Sequence, residues 1–127
     1  MVEFAIVLPV LLLLIVGMIE FSLLLYNKAV LTNASREGAR AGIVYAQPAI
    51  TAGQVTTVVN NYCQNFLVTF GAATAPVTNV TGGPCGTAGN PVTVTVTYNY
   101  SFLVLPSFLT SLGSGINLSA QTVMRCE

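Results

Sequence analysis

Few side chains in this sequence could do chemistry: Glu3, Glu20, Glu37 and Glu127, Lys28, Arg36, Arg40 and Arg125, and the cysteines Cys63, Cys85 and Cys126. There is no His, no Asp and no Trp. Imidazole bases, Ser-His-Asp and Cys-His arrangements and the commonest metal ligands are thereby removed together. The glutamates are well separated, and no CxxC, P-loop or GxGxxG spacing occurs. The three cysteines lie 22 and 41 positions apart, which with no His fits no zinc site. A chain so equipped is expected not to be an enzyme, with no catalytic residues, no metal and no cofactor. The chemistry left to the cysteines is one disulfide with one thiol over, which implies an oxidising compartment; three buried free thiols are the plainer alternative.

Composition points away from an ordinary soluble globule. Of 127 residues, 54% are hydrophobic and only 6% charged, against roughly 25% in soluble domains, and the net charge is zero. No charged side chain occurs from Ala41 to Met124. With no basic patch to neutralise phosphates, a nucleic-acid partner is not expected.

The charges that remain are arranged around an apolar helix. Phe4 to Ile19 carries none, and after Glu20 the apolar run resumes to Tyr26. Twenty-three helical residues reach about 34 Å, enough for a hydrocarbon core of roughly 30 Å. No basic n-region or small-residue cleavage site marks it as a cleaved secretory signal, so it is expected to stay in the mature protein. Pro9 removes a backbone hydrogen bond and should kink or loosen residues 5 to 9. Glu20 costs about 2.5 to 3.5 kcal/mol near a bilayer centre and calls for a partner; the plainer alternative places it near the headgroups, unpaired or beside Lys28.

Residues 27 to 45 continue the helix beyond the apolar run, up to the Gln47-Pro48 step that disfavours it. Ala34, Gly38 and Gly42 fall at i, i+4 and i+8, a stripe of small residues suited to a closely packed helix, within the subunit or between subunits. Arg36, Glu37 and Arg40 can be a solvated face. A second helix begins at the capping-box pair Thr51 and Gln54, carries Val55, Val58, Val59, Tyr62, Cys63, Phe66, Leu67 and Phe70 on one face, and stops at Gly71. Residues 71 to 91 form a loop with a short strand near 76 to 81. Val92 to Tyr100 alternates Val and Tyr with Thr and Asn, Ile116 to Met124 alternates more weakly, and the two should pair antiparallel. Between them lies an apolar loop broken by Pro106. On this layout Cys63 with Cys85 ranks first as the disulfide, because the apolar face of the helix should pack on the strand that Cys85 precedes. Cys85 with Cys126 ranks second, because the hairpin also returns residue 126 toward the first strand.

The run MVEFAIVLPVLLLLIVGMIEF with NKAVLTNASREGARAG resembles the amino-terminal signature of TadE-like proteins, pilin-like subunits of tight-adherence (Tad) type IV pilus systems. The likeness covers residues 1 to about 44 and rests on Glu3-Phe4, Leu8-Pro9, Glu20 and the run from Ala34 to Arg40. It implies processing by a prepilin peptidase, residence in the inner membrane before assembly, then a surface filament cored by a bundle of these helices, built from copies of this chain or other pilin subunits by pilus assembly machinery. It also implies assembly roles for Glu3, Pro9, Glu20, Ala34, Gly38 and Gly42. Family glutamates stand at position five after cleavage, and here the residue is Glu3. Lys28, Arg36 and Arg40 after the span would by the positive-inside rule put the carboxyl-terminal part in the cytoplasm, whereas the cysteines and the family put it outside. The expected protein is α+β and pilin-like: a core helix with its polar extension over 1–46, then a small extracellular domain over 47–127 with a second amphipathic helix and about three antiparallel strands. The alternative is a single-pass envelope protein that binds through its Thr-rich face without polymerising.

Overall fold

The computed structural model describes residues 1–69, 75–83, 85, 87–104, 111, 113 and 115–127. Phe70, Gly71 and Pro106, and with them the expected stop of the second helix and the break in the apolar loop, lie outside the described residues.

Helix α1 runs from Val2 to Gly42 without interruption, through Pro9. The expected loosening at residues 5 to 9 does not break it, since proline removes a single bond from a helix held by its neighbouring turns. The helix has two halves of different character. Met1 to Leu14 are all exposed and nothing is buried before Glu20, whereas Glu20, Asn27, Val30, Leu31, Ala34, Ser35, Gly38, Ala39 and Gly42 are buried. The second half therefore belongs to the core of the folded domain, and the first half stands clear of it.

The helix ends at Gly42, short of the Gln47-Pro48 step that the sequence suggests as its limit. Its last bond runs from the Ile43 N–H to the Ala39 carbonyl. The Gly42 carbonyl oxygen is covered by the Cys85 sulfur at 3.2 Å. That sulfur belongs to a disulfide and carries no proton, so this is a packing contact.

Helix α2, Ala52–Phe66, starts at the expected capping box: Thr51 Oγ1 accepts from the Gln54 N–H and Gln54 Oε1 accepts from the Thr51 N–H. It stops four residues before Phe70 for a reason the apolar periodicity does not contain. The Asn27 side chain captures Val68 by both backbone groups, donating from Nδ2 to its carbonyl at 3.0 Å and accepting from its N–H at 3.1 Å. Both Val68 groups are thus withdrawn from helical bonding, and Leu67 is already extended. Phe66 is left exposed and Leu67 half-buried, while Val55, Val59 and Cys63 hold the buried face.

Strands β1 (Val77–Thr81), β2 (Pro91–Tyr100) and β3 (Ile116–Arg125) form one antiparallel sheet in the order β1-β2-β3. Thr81 pairs with Thr93, and Tyr100 with Ile116. Val92, Val94, Val96, Tyr98 and Tyr100 alternate into the core with 0 to 2% exposure, and Thr93, Thr95 and Thr97 turn outward. The inner face lies on the helices: α1 packs on β2, β3 and α2, and α2 on β1 as well. The result is α+β and pilin-like, a long amino-terminal apolar helix with a second helix and a three-stranded antiparallel sheet.

Candidate assembly site

The exposed half of α1 contains a window long and apolar enough to cross a membrane by length and composition, and none of that window is buried. Glu3 sits exposed in its first turn, where a carboxylate complements the helix dipole, and Pro9 is exposed one and a half turns on. The folded domain touches neither.

Glu20 is where the domain begins. It is 3% exposed, and its Oε1 accepts from the Tyr100 hydroxyl at 2.5 Å and from the Leu103 N–H at 2.9 Å, while Oε2 accepts from the Val104 N–H at 2.8 Å. Three donors converge on one carboxylate, which is how a buried charge is tolerated. Burial first, then the bond to Glu20 and its negative charge, push the Tyr100 hydroxyl pKa well above the usual tyrosine range. Gly115, at φ 106°, lets β3 begin beside this cluster: a Cβ there would stand 2.7 Å from the Tyr100 carbonyl oxygen. Lys28, the nearest cation along α1, donates to the Ser119 carbonyl on β3.

Ala34, Gly38 and Gly42 are brought together with α2 and β2 inside the subunit. A Cβ at Gly38 would overlap Val59 Cγ2 and stand 3.4 Å from Val94 Cγ1; one at Gly42 would lie 3.3 Å from Val92 Cγ1 and 3.4 Å from Val55 Cγ2. Ser35, beside the stripe, is also fully buried, its hydroxyl 2.7 Å from Thr122 Oγ1 and donating to the Thr32 carbonyl at 2.8 Å. Arg36, Glu37 and Arg40 face outward and are exposed.

Asn27 is the residue that the sequence signature hides. It is fully buried, and its signal is positional: stepping back from Ala34 by sevens lands on Asn27 and then Glu20, so one face of α1 carries two of the polar side chains that fasten the domain to it.

The disulfide joins Cys85 to Cys126, with Cα atoms 5.7 Å apart, and Cys63 is free and buried. This corrects the ranking that put Cys63 with Cys85 first. The β2–β3 ladder continues past its last pair: Cys126 N–H donates to the Asn90 carbonyl and Gly89 N–H to the Cys126 carbonyl, both at 2.9 Å. Residue 126 is thus fixed beside the start of β2, over the Gly42 end of α1. Cys63 lies two turns, about 12 Å, along α2 from Val55, which marks that end. Burial pushes its thiol pKa from 9.0 up to about 11. Among the described residues, no group of three or more His, Cys, Asp or Glu is placed to hold a metal ion.

No curated protein and no solved structure matches the chain. Residues 1–40, the part of α1 bearing Glu3, Pro9, Glu20 and most of the small-residue stripe, match the family model of TadE-like proteins.

Proposed function

We propose that the chain is a structural subunit of a Tad pilus filament, pilin or pseudopilin, assembling through its amino-terminal helix. One observation carries this above the rest: α1 is divided between a half that the folded domain consumes and a half of some eighteen residues that it leaves wholly bare. A helix that is apolar on all sides must be covered by lipid or by other helices. Its continuation into the domain core makes it a rigid strut rather than a tether.

The two stages of a pilin's life then use the same surface. Before assembly, the bare half lies in the inner membrane; afterwards it packs against the same half of neighbouring subunits, with residues 47–127 outside. Glu3 pairs in the bundle with a positive group, the amino terminus of a neighbour, because a carboxylate among apolar helices has to be compensated or protonated. The prepilin peptidase and pilus assembly machinery are the partners this route requires.

The test is to isolate surface filaments and identify their polypeptides by mass spectrometry, alongside a Glu3→Ala variant. Filaments containing this chain, lost in Glu3→Ala while the chain still inserts in the membrane, support the proposal. Membrane-bound monomers with no filament support the non-polymerising anchor instead, and undiminished filament yield from Glu3→Ala removes the role given to Glu3.

A further inference from the structure

The bare half of α1, some eighteen residues and about 27 Å long, only just reaches across a hydrocarbon core of roughly 30 Å. Phe4 to Ile19 is charge-free and about 24 Å long, against a hydrocarbon core of roughly 30 Å, and 20 residues from Phe4 end at Leu23. The folded domain already lies against one side of α1 at that height. Phe102 and Ile116 share a crevice of about 190 Å³ with Gly17 and Phe21, and Val68 shares a groove of about 510 Å³ with Met18 and Tyr26. Spanning therefore brings this rim of the domain down to the membrane–water boundary.

The rim is built for that position. Phe21, Leu25, Tyr26, Phe66, Val104 and Ile116 all stand exposed around it, an apolar band with aromatic side chains of the kind found at membrane interfaces. Lys28, just above the rim, is tied to the Ser119 carbonyl, and charges beyond it lie further away: Arg125 pairs across from Pro91 at the opposite end of the hairpin from Ile116, and Glu127 lines a cavity with Arg40. The one carboxylate at rim height, Glu20, is closed off by Tyr100, Leu103 and Val104, so it needs no water.

We propose that this rim is a lipid-binding surface, embedding the base of the folded domain in one leaflet of a phospholipid bilayer at the level of residues 17 to 26. It rests on the membrane stage proposed above and adds where the water boundary falls on the domain. Lipid, rather than a second copy, is the occupant because the length of the span sets the bilayer surface at the height of this exposed apolar and aromatic band.

The chain has no Trp, so a single introduced Trp reports on its own site. The full chain carrying Phe4→Trp, Phe66→Trp, Ile116→Trp or Tyr45→Trp is reconstituted in phosphatidylcholine vesicles whose acyl chains bear a spin label close to the headgroup or deep in the core. Expected are loss of emission with the shallow label for Phe66→Trp and Ile116→Trp in one leaflet and for Phe4→Trp in the other, and unchanged emission for Tyr45→Trp at the far end. Quenching of Phe66→Trp alone suffices where Ile116→Trp fails to fold. Phe4→Trp quenched with both rim positions bright overturns the embedded rim and leaves the span intact. Blue-shifted, unquenched rim emission with cross-links between copies assigns the rim to a second subunit and overturns it equally. Phe4→Trp unquenched defeats the membrane stage itself.

Discussion

Glu20 and Tyr100, 80 residues apart in sequence, are joined by a 2.5 Å hydrogen bond that ties the last residue of β2 to the point where α1 enters the domain. Leu103 and Val104 complete the cap on the same carboxylate, so these two residues are held by α1 rather than by the sheet. Tyr100→Phe removes one donor from a buried carboxylate and keeps the ring, so it should cost about 1.5 to 3 kcal/mol. Denaturant unfolding of the detergent-solubilised chain measures it. An unchanged midpoint would mean that the two backbone donors already satisfy Glu20.

The small-residue stripe is consumed inside the subunit, which changes what its substitution should do. Gly38→Leu drives a side chain into Val59 and Val94 and should cost on the order of 3 kcal/mol or more, lowering the thermal midpoint before any filament is made. At Gly17 an added Cβ would meet nothing within 4 Å, so Gly17→Leu should leave the folded domain as stable as before. Circular dichroism melts of the two variants make the comparison, and equal melts would show that Gly38 is not in a packed contact. Ser35→Ala should also lower the melt, because the Ser35 hydroxyl is buried against Thr122.

What could be read in the sequence was what short-range pattern encodes. The alternation of Val92 to Tyr100 with its threonines became β2 with its inner face buried, and the Thr51–Gln54 pair became a capping box. What was not legible depends on contacts across the chain. Asn27 reads as one polar residue in a helix until Val68, 41 positions away, arrives to use both ends of its amide, and that same contact ends α2 early. Glu20 asked for a partner, but a tyrosine hydroxyl and two backbone N–H groups leave no trace in composition. The cysteine ranking failed because a helix face meeting a sheet says nothing about which end of the helix lies near residue 85.

The disulfide closes a 41-residue separation, and the chain-entropy account of such a loop gives about 4 kcal/mol. Cys126→Ser should therefore lower stability on that scale, and Cys63→Ser should not reproduce the loss through any change in cross-linking. Non-reducing peptide mapping should return one linked pair containing residues 85 and 126. A linked pair containing Cys63 would overturn the pairing.

Cys63 supplies the pH-dependent prediction. Its thiol is buried among apolar side chains, and the folded protein holds the proton to about pH 11 whereas the unfolded chain releases it near 9.0. With the folded pKa raised, the stability linked to this group is fully present below pH 9 and is lost as pH rises from 9 toward 11, because over that window the unfolded state binds fewer protons. Two pH units correspond to about 3 kcal/mol at most. Tyr100, also raised, adds its own loss only above pH 10. Cys63→Ala should accordingly flatten the fall in stability between pH 9 and 10 while leaving the steeper loss above 10. The thiol should also react with a water-soluble disulfide reagent at pH 8 far more slowly folded than in denaturant, and rapid labelling of the folded chain would place Cys63 outside the core.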